Sequence, residues 1–414
     1  MTNEGLQEFP LTSVLLKKSL HWACQNFPFV AYFNPNSIPY PEEGFRHVLF
    51  AGTTPINWNE LENQPGSKAG IFSYDLKNKF ERLHSYNPSP VSCPETLFFK
   101  PEITIIYSEN SLIIEHANPN EIFQVIQAFE PQVKPQNVQP IEFHTTKQQY
   151  IENVKHIQQH IREGDIYEMN YCIAFSADFE DLDPLKLYWK LQQKSPMPFS
   201  CIFKAGSKYL VGASPERFLK KENGKILAQP IKGTIKRGKN PQEDLLLQQQ
   251  LKNSEKEKAE NLMIVDLMRN DLSWISKPGS VKVDELYGIY PFRQVSQMIS
   301  TVSSTLKSGL PFDQIISHTF PMGSMTGAPK IKCMELIEQY ENFKRGWFSG
   351  AVGYMNEKGN FDFSVIIRSI IMDQSTNKLY FAAGSAITYD ADPEYEYEEC
   401  LLKASAIFEI LQTD

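Results

Sequence analysis

The sequence predicts a mixed fold, α+β or mixed α/β, in which helices and strands come in blocks rather than in strict alternation. Three observations carry this. Thr146 and Gln149 form a capping-box pattern ahead of Tyr150, Val154, Ile157 and Ile161 at helical spacing, with Gly164 as the stop. Phe199 to Ile231 reads as a strand meander, with Asn223-Gly224 as a tight hairpin turn. Asn240-Pro241 and Asp392-Pro393 each pair a helix cap with a first-turn proline ahead of long helical runs.

Taken in order, residues 1 to about 140 hold a helix (Leu11 to Phe27) and short strand-like runs such as His47 to Phe50 and Ile103 to Tyr107. Three prolines between Pro131 and Pro140 suit a linker, which divides the chain into a region 1–140 and a region 141–414. Beyond it, Ile166 to Phe179 reads as a strand and Asp183-Pro184 opens another helix. One helix is expected to run from Asn240-Pro241 through Leu245, Leu251 and Leu262 to Met263, and another from Asp392-Pro393 through Leu401 and Ile407 to the C-terminus.

Composition narrows the function classes. With 414 residues and 41% hydrophobic content the chain can bury a large core. A net charge of −8 argues against nucleic acid or an anionic membrane as the main partner. Met1 to Gly5 show no basic, signal-like start, and no stretch approaches the ~20 apolar residues of a membrane span. Six scattered cysteines without a CxxC spacing suit buried thiols in a reducing cytoplasm. None has Gly two residues away on both sides, so the chain lacks the Gly-x-Cys-x-Gly turn of a glutamine-hydrolysing nucleophile.

Lys232 lies in the apolar stretch Pro230-Ile231-Lys232-Gly233-Thr234, a poor setting for an ordinary solvated lysine. A lysine is a nucleophile only when neutral, and desolvation helped by Lys236 and Arg237 is a route to a lowered pKa. The bland alternative is a strand lysine reaching out to water. Two Glu-x-x-Glu pairs, Glu257/Glu260 and Glu396/Glu399, fall on the long helices. Three-residue spacing places each pair on one helical face. Alone, either pair reads as a solvated face; converging, they suit a hard cation such as Mg²⁺.

The chain resembles the chorismate-utilising enzymes, the family of anthranilate synthase component I and aminodeoxychorismate synthase component I. The resemblance rests on Ser214 to Phe218, the Lys232 motif, Ala259 to Leu272, Phe320 to Lys330, Gly350 to Tyr354, Ile367 to Ser369 and Asp390 to Lys403, in family order. It implies a β/α/α/β sandwich with the active site between its halves. Members that make anthranilate typically carry Ala at position 232 and those that make aminodeoxychorismate carry Lys. The resemblance therefore implies a transferase that converts chorismate and ammonia to 4-amino-4-deoxychorismate, the precursor of p-aminobenzoate in folate biosynthesis. Ammonia would come from a separate glutamine amidotransferase subunit.

Residue by residue, the resemblance implies Glu260 and Glu399 as Mg²⁺ ligands, with Glu257 and Glu396 in support. Arg368 would clamp a substrate carboxylate, Gly384 and Ser385 would offer backbone N–H groups, and Gly233 and Thr234 would flank the ring. Lys232 would be the covalent nucleophile and Glu216 the general acid, unless Glu216 is spent on a salt bridge to Arg217 or elsewhere. The Pro321 to Lys330 loop would line the pocket; Lys330 is either an electrostatic contact or a cap on the following helix. His318 reads as a satisfied core histidine. Glu168, Phe348 and Ala386 depart from the usual Gln, Tyr and Gly. The alternatives are anthranilate synthase component I and a non-catalytic chorismate-binding subunit.

Overall fold

The structure, a computed structural model, describes residues 6–132 and 137–412. Met1 to Gly5 and the middle of the proline-rich linker, 133–136, lie outside the described residues. Local chemistry sets most helix ends as the sequence predicts. Thr146 completes its capping box with Gln149 at the start of the helix Lys147–Glu163, which stops at Gly164 in the left-handed conformation (φ 83°). Asp183 caps Pro184–Lys194, and Thr12 caps Ser13–Asn26.

One helix boundary differs. The single helix expected from Asn240 to Met263 is two, Pro241–Asn253 and Glu255–Ile275. Ser254, in extended backbone, closes the first and accepts a hydrogen bond from the Glu257 amide to cap the second. The break decides where Glu257 and Glu260 point, because it sets a new helix cap three residues before the first of them.

The strands form two sheets. Across the larger path run Leu6–Pro10, Ser111–Glu115, Ile103–Tyr107, Val48–Gly52, Phe29–Asn34, Phe199–Ala205, Lys208–Ser214, Ser369–Asp373, Lys378–Ile387, Glu168–Glu180 and Glu142–Phe143. The smaller runs Ile231–Lys236, Val295–Thr305, Lys225–Gln229, Arg217–Glu222, Phe361–Val365, Ala351–Met355, Lys68–Phe72, Thr96–Lys100 and Thr54–Ile56. All the pairings are antiparallel. Phe29–Asn34 pairs with Phe199–Ala205, and Lys68–Phe72 with Ala351–Met355. The division expected near residue 140 therefore separates stretches of sequence, while each sheet draws strands from both sides of it.

Each sheet carries its own helices. Lys147–Glu163, Pro184–Lys194 and Pro393–Gln412 lie on the large sheet, and Pro241–Asn253 and Glu255–Ile275 on the small one. The two helix sets meet where Lys256 reaches Glu396, 3.6 Å away. An aromatic seam joins the sheets: Phe33 packs on Tyr354 with ring centroids 5.2 Å apart, and Phe203 on Phe99 at 6.0 Å. Arg217, fully buried, pairs with Asp362 (2.8 Å) and also donates to Gln229 and to the carbonyl of Glu43. The bidentate, fully satisfied geometry is what makes a buried guanidinium tolerable.

Gly327 fixes the end of the Glu168–Glu180 strand, since Gly327–Ala328 pairs with Met169 and Glu168. Its φ is +140°, and a Cβ there would lie 2.1 Å from the Glu168 carbonyl oxygen. Gly327→Ala is expected to cost about 2–4 kcal/mol through strain and overlap. Urea denaturation checks this, and a loss below about 0.5 kcal/mol, the range of a neutral surface change, would contradict it.

Candidate active site

A defect in strand pairing puts Lys232 in place. Ile231 opposes Ile299 and Thr234 opposes Gln297, so Lys232 and Gly233 together face the single residue Met298. The extra residue is a β-bulge, with Gly233 at φ +96°. A Cβ on Gly233 would lie 3.0 Å from Glu257 Oε2, so glycine also allows the helix Glu255–Ile275 to approach. Asn261 of that helix is buried and secures the bulge: its Nδ2 donates to the Lys232 carbonyl (3.2 Å), and its Oδ1 accepts from Ser300 Oγ (2.6 Å).

The bulge turns the Lys232 side chain toward acids. Its Nζ lies 2.7 Å from Glu168 Oε1, and the two side chains are 11% and 1% exposed. Burial alone would lower the lysine pKa, but Glu168, Glu260 and Glu399 outweigh burial and raise it above the ordinary value. This corrects the expectation of a lysine neutralised by Lys236 and Arg237. Lys236 is exposed, and Arg237 pairs with Asp244 at 2.7 Å. Lys232 is thus held as one half of an ion pair with Glu168.

Glu216 is buried and accepts a 2.6 Å hydrogen bond from Ser324 Oγ. Burial raises its pKa to about 7, against the opposing pull of the Ser324 hydrogen bond and the Lys232 charge. Arg217 is not its partner, because that guanidinium is spent on Asp362. Ser324 brings the Pro321 to Lys330 loop against Glu216. Lys330 does not come with it: its Nζ pairs with Asp271 at 2.6 Å, tethering its helix to Glu255–Ile275. His318, expected in the core, is exposed and stacks on Trp274.

The large sheet splits beside these groups. Ser369–Asp373 pairs with Lys378–Ile387 only over Lys378 to Tyr380, so one edge of the latter strand faces no strand from Phe381 onward. Gly384 and Ser385 lie along this split strand, and a Cβ on Gly384 would lie 2.4 Å from Cys172 Sγ. The Ser385 hydroxyl is engaged by Tyr150 (2.7 Å) and its backbone faces Tyr171 across the ladder, so Gly384 is the residue on the open edge, where its carbonyl accepts from Lys403. Arg368 stands where the other strand begins, at φ +49°. Burial lowers its pKa to about 10; Glu216 is the charge that opposes this. The guanidinium is half-buried and has no ion-pair partner among the described residues.

Lys256 links the two Glu-x-x-Glu pairs. Lys256 Nζ lies 3.8 Å from Glu260 and 3.6 Å from Glu396, and Lys403 lies 2.7 Å from Glu399 while donating to the Gly384 carbonyl. Burial raises the Glu257 pKa, and that of Glu260 to about 7. Glu396 and Glu399 share a hydrogen bond: burial and Glu399 push Glu396 up, while Lys403 holds Glu399 down despite burial. Glu260 Oε1 is buried with no hydrogen-bond partner. Lys256 is the cation beside that oxygen, and no three of the four glutamates bring ligand atoms within 4.8 Å of one another. A separate group, His160, Glu163 and Asp165, brings its ligand atoms within 4.8 Å of one another at the end of Lys147–Glu163. It could hold a cation, on the surface.

Sequence reasoning noted Glu168 only as a departure and missed Asn261, Ser324, Lys256 and Lys403. It also missed Gln297, a buried side chain opposite Thr234 whose Oε1 has no partner. Thr234 itself is exposed.

The raised Glu216 pKa sets a pH dependence. Between its ordinary 4.5 and its folded value of about 7, the folded chain holds a proton that the unfolded chain has released, so stability falls as pH rises through that range. Half-buried His47, lowered from 6.5 to about 4, runs the other way over an overlapping range, so the effect of Glu216 is read as the difference between variant and parent. Between pH 5.5 and 7.5 (~two units), Glu216→Gln is expected to reduce the stability lost by about 1–2 kcal/mol. Denaturant melts across that range check it; an unchanged slope would contradict the buried, protonated carboxyl.

Comparison with known proteins follows the same lines. The family model described as chorismate binding enzyme matches residues 39–409. The chloroplastic aminodeoxychorismate synthase of Arabidopsis thaliana is 34% identical over 398 residues, covering 88% of this chain and 43% of that protein. This chain thus spans less than half of that relative. Anthranilate synthase component 1 of Saccharolobus solfataricus is 34% identical over 345 residues, 83% of this chain and 80% of that protein. The crystal structure of anthranilate synthase component I from Streptococcus pneumoniae TIGR4 superposes with a TM-score of 0.76 at 24% identity, covering 100% of this chain and 93% of that one. The mixed α/β fold is therefore of the anthranilate synthase component I type, and the chain belongs to the chorismate-binding enzymes of the anthranilate and aminodeoxychorismate synthase component I family.

Proposed function

We propose that this chain makes 4-amino-4-deoxychorismate from chorismate and ammonia through a covalent Lys232 intermediate. The observation that carries the reading is a buried lysine, held on a β-bulge, beside a protonatable Glu216 and an unpaired Arg368. Exchanging the C4 hydroxyl for an amino group on the same carbon is awkward by direct displacement, and a covalent step divides it. The neutral amine of Lys232 adds at C2 as the double bonds shift, and the C4 hydroxyl leaves as water with a proton from Glu216. Ammonia then adds at C4, the double bonds shift back, and the C2–N bond to Lys232 breaks.

Arg368 suits the enolpyruvyl carboxylate as a bidentate clamp. The backbone of the split strand at Gly384, rather than Ser385, suits the remaining polar edge, and Gly233 leaves room for the ring. Glu260 and Glu399, supported by Glu257 and Glu396, would hold Mg²⁺, which when bound screens the ring carboxylate. The relative from Saccharolobus solfataricus favours a second reading, anthranilate synthesis, in which ammonia attacks C2 and Lys232 is only an electrostatic contact.

Product analysis with chorismate, Mg²⁺ and ammonium separates the readings. We expect 4-amino-4-deoxychorismate; anthranilate would establish the second reading, and unchanged chorismate a non-catalytic binding subunit. Glu260→Gln and Glu399→Gln are each expected to lower turnover by at least about 10²-fold while melting like the parent chain, since the amide keeps volume but loses the anionic ligand. Normal turnover by both, or activity that survives EDTA, would remove the metal from this site.

The ammonia source gives a further test. Without a glutaminase cysteine, the purified chain should use ammonium and not glutamine, and a matching amidotransferase subunit should confer glutamine dependence. Glutamine-supported synthesis by the chain alone would contradict this.

A further inference from the structure

Resting on the covalent reading above, we propose that Glu168 is the base that converts the Lys232 ammonium into the nucleophilic amine, through the 2.7 Å contact between Oε1 and Nζ. The need arises from the site itself. Acids face Lys232 from every element around it: Glu168 on the large sheet, Glu257 and Glu260 on one helix, Glu399 on the C-terminal helix, and Glu216 ahead of Arg217–Glu222. Lys403 is the cation facing them. The 2.7 Å pairing with the Glu168 carboxylate holds Lys232 as an ammonium, so attack requires that its proton pass to an acceptor already in place.

Glu168 alone among the described carboxylates lies within ion-pair distance of Lys232 Nζ. Its carboxylate is 1% exposed, and its second oxygen, Oε2, is buried with no partner. No neighbouring donor therefore fixes its charge except the lysine. The backbone holds it rigidly: Glu168 pairs with Ala328, its carbonyl accepts from Cys333 Sγ (3.2 Å), and the Tyr167 amide donates to the Ala328 carbonyl (2.7 Å). Glu216, engaged by Ser324, is left to serve the leaving hydroxyl.

The proton balance closes. Transfer from Lys232 Nζ to Glu168 turns an ammonium–carboxylate pair into amine and carboxylic acid, removing two buried charges as the N–C2 bond forms. The secondary ammonium created by that bond keeps its remaining protons until the second half. When ammonia adds at C4 it carries a surplus proton, which Glu216 recovers after having given one to the departing hydroxyl. As the C2–N bond breaks, its electron pair returns to Lys232 as the amine, and Glu168 gives back its proton. Both carboxyls end as they began, and the net change is chorismate plus ammonia to product plus water.

The test follows adduct formation alone. Chorismate and Mg²⁺ without ammonia are mixed with the full chain, quenched over time between pH 6.5 and 9 (~three units), and read by intact-protein mass spectrometry. Peptide mapping places the adduct on Pro230 to Thr234. Glu168→Gln is expected to slow adduct formation about 10²-fold near neutrality, with the rate climbing as pH rises and solvent takes the proton instead. A purely electrostatic pair predicts the opposite sign: removing the anion makes the amine easier to deprotonate, so Glu168→Gln would react as fast as the parent or faster. That result would overturn the proposal. Glu168→Asp and Glu168→Asn compare nearly equal shapes with and without a proton acceptor, and serve if Glu168→Gln fails to fold. The Asp variant should react at least about tenfold faster than the Asn variant, and equal rates would also overturn the proposal. Failure of the parent chain to form any adduct would instead sink the covalent reading, and Glu168 with it.

Discussion

The placement of charged groups inside a largely apolar body organises this molecule. Six carboxyl groups (Glu168, Glu216, Glu257, Glu260, Glu396 and Glu399) converge on Lys232, Lys256, Lys403 and Arg368 between the two sheets. Buried charges are costly unless paired or neutralised. The site uses both routes: Lys232 and Glu399 have direct partners, while Glu216 and Glu260 have pKa values raised to about 7. What remains unsatisfied is specific. Arg368 lacks an anion, and Glu260 Oε1 and Glu168 Oε2 lack donors.

The fold achieves this through local departures from regular structure. A bulge aims Lys232, a split between two strands exposes backbone beside Gly384, and a serine cap restarts a helix ahead of Glu257. Each interrupts a ladder or helix whose neighbours are well buried, so the surrounding core absorbs its cost. Asn261 and Lys403 act as braces: one ties a helix to the bulge, and the other ties the C-terminal helix to the split strand. Both are hydrogen-bonded at more than one point, which limits how far the acids can drift from the lysine.

Helix limits and the class of fold were legible wherever the signal was local. The capping box at Thr146, the proline-led starts at Pro184 and Pro393 and the stop at Gly164 all depend on residues within a turn of one another. The serine break at Ser254 was missed because a run of leucines and glutamates continues across it, and a cap shows only as one hydroxyl near one amide. Lys330 and His318 were misplaced for a different reason. Their partners, Asp271 and Trp274, lie far away in sequence.

The amino-acid sequence by itself determined which groups could do chemistry here: a lysine before a Gly-Thr, two Glu-x-x-Glu pairs, an arginine after an apolar run and no glutaminase cysteine. Those are matters of residue type and short spacing, set by the chain's covalent order. Only the tertiary structure decided the charge state in which those groups rest. Lys232 looked ready for neutrality beside Lys236 and Arg237, yet the fold gives it Glu168, 64 residues away, and distributes the remaining acids around it. Electrostatic energy depends on distance through space and on what water has been excluded, and neither is written in sequence separation.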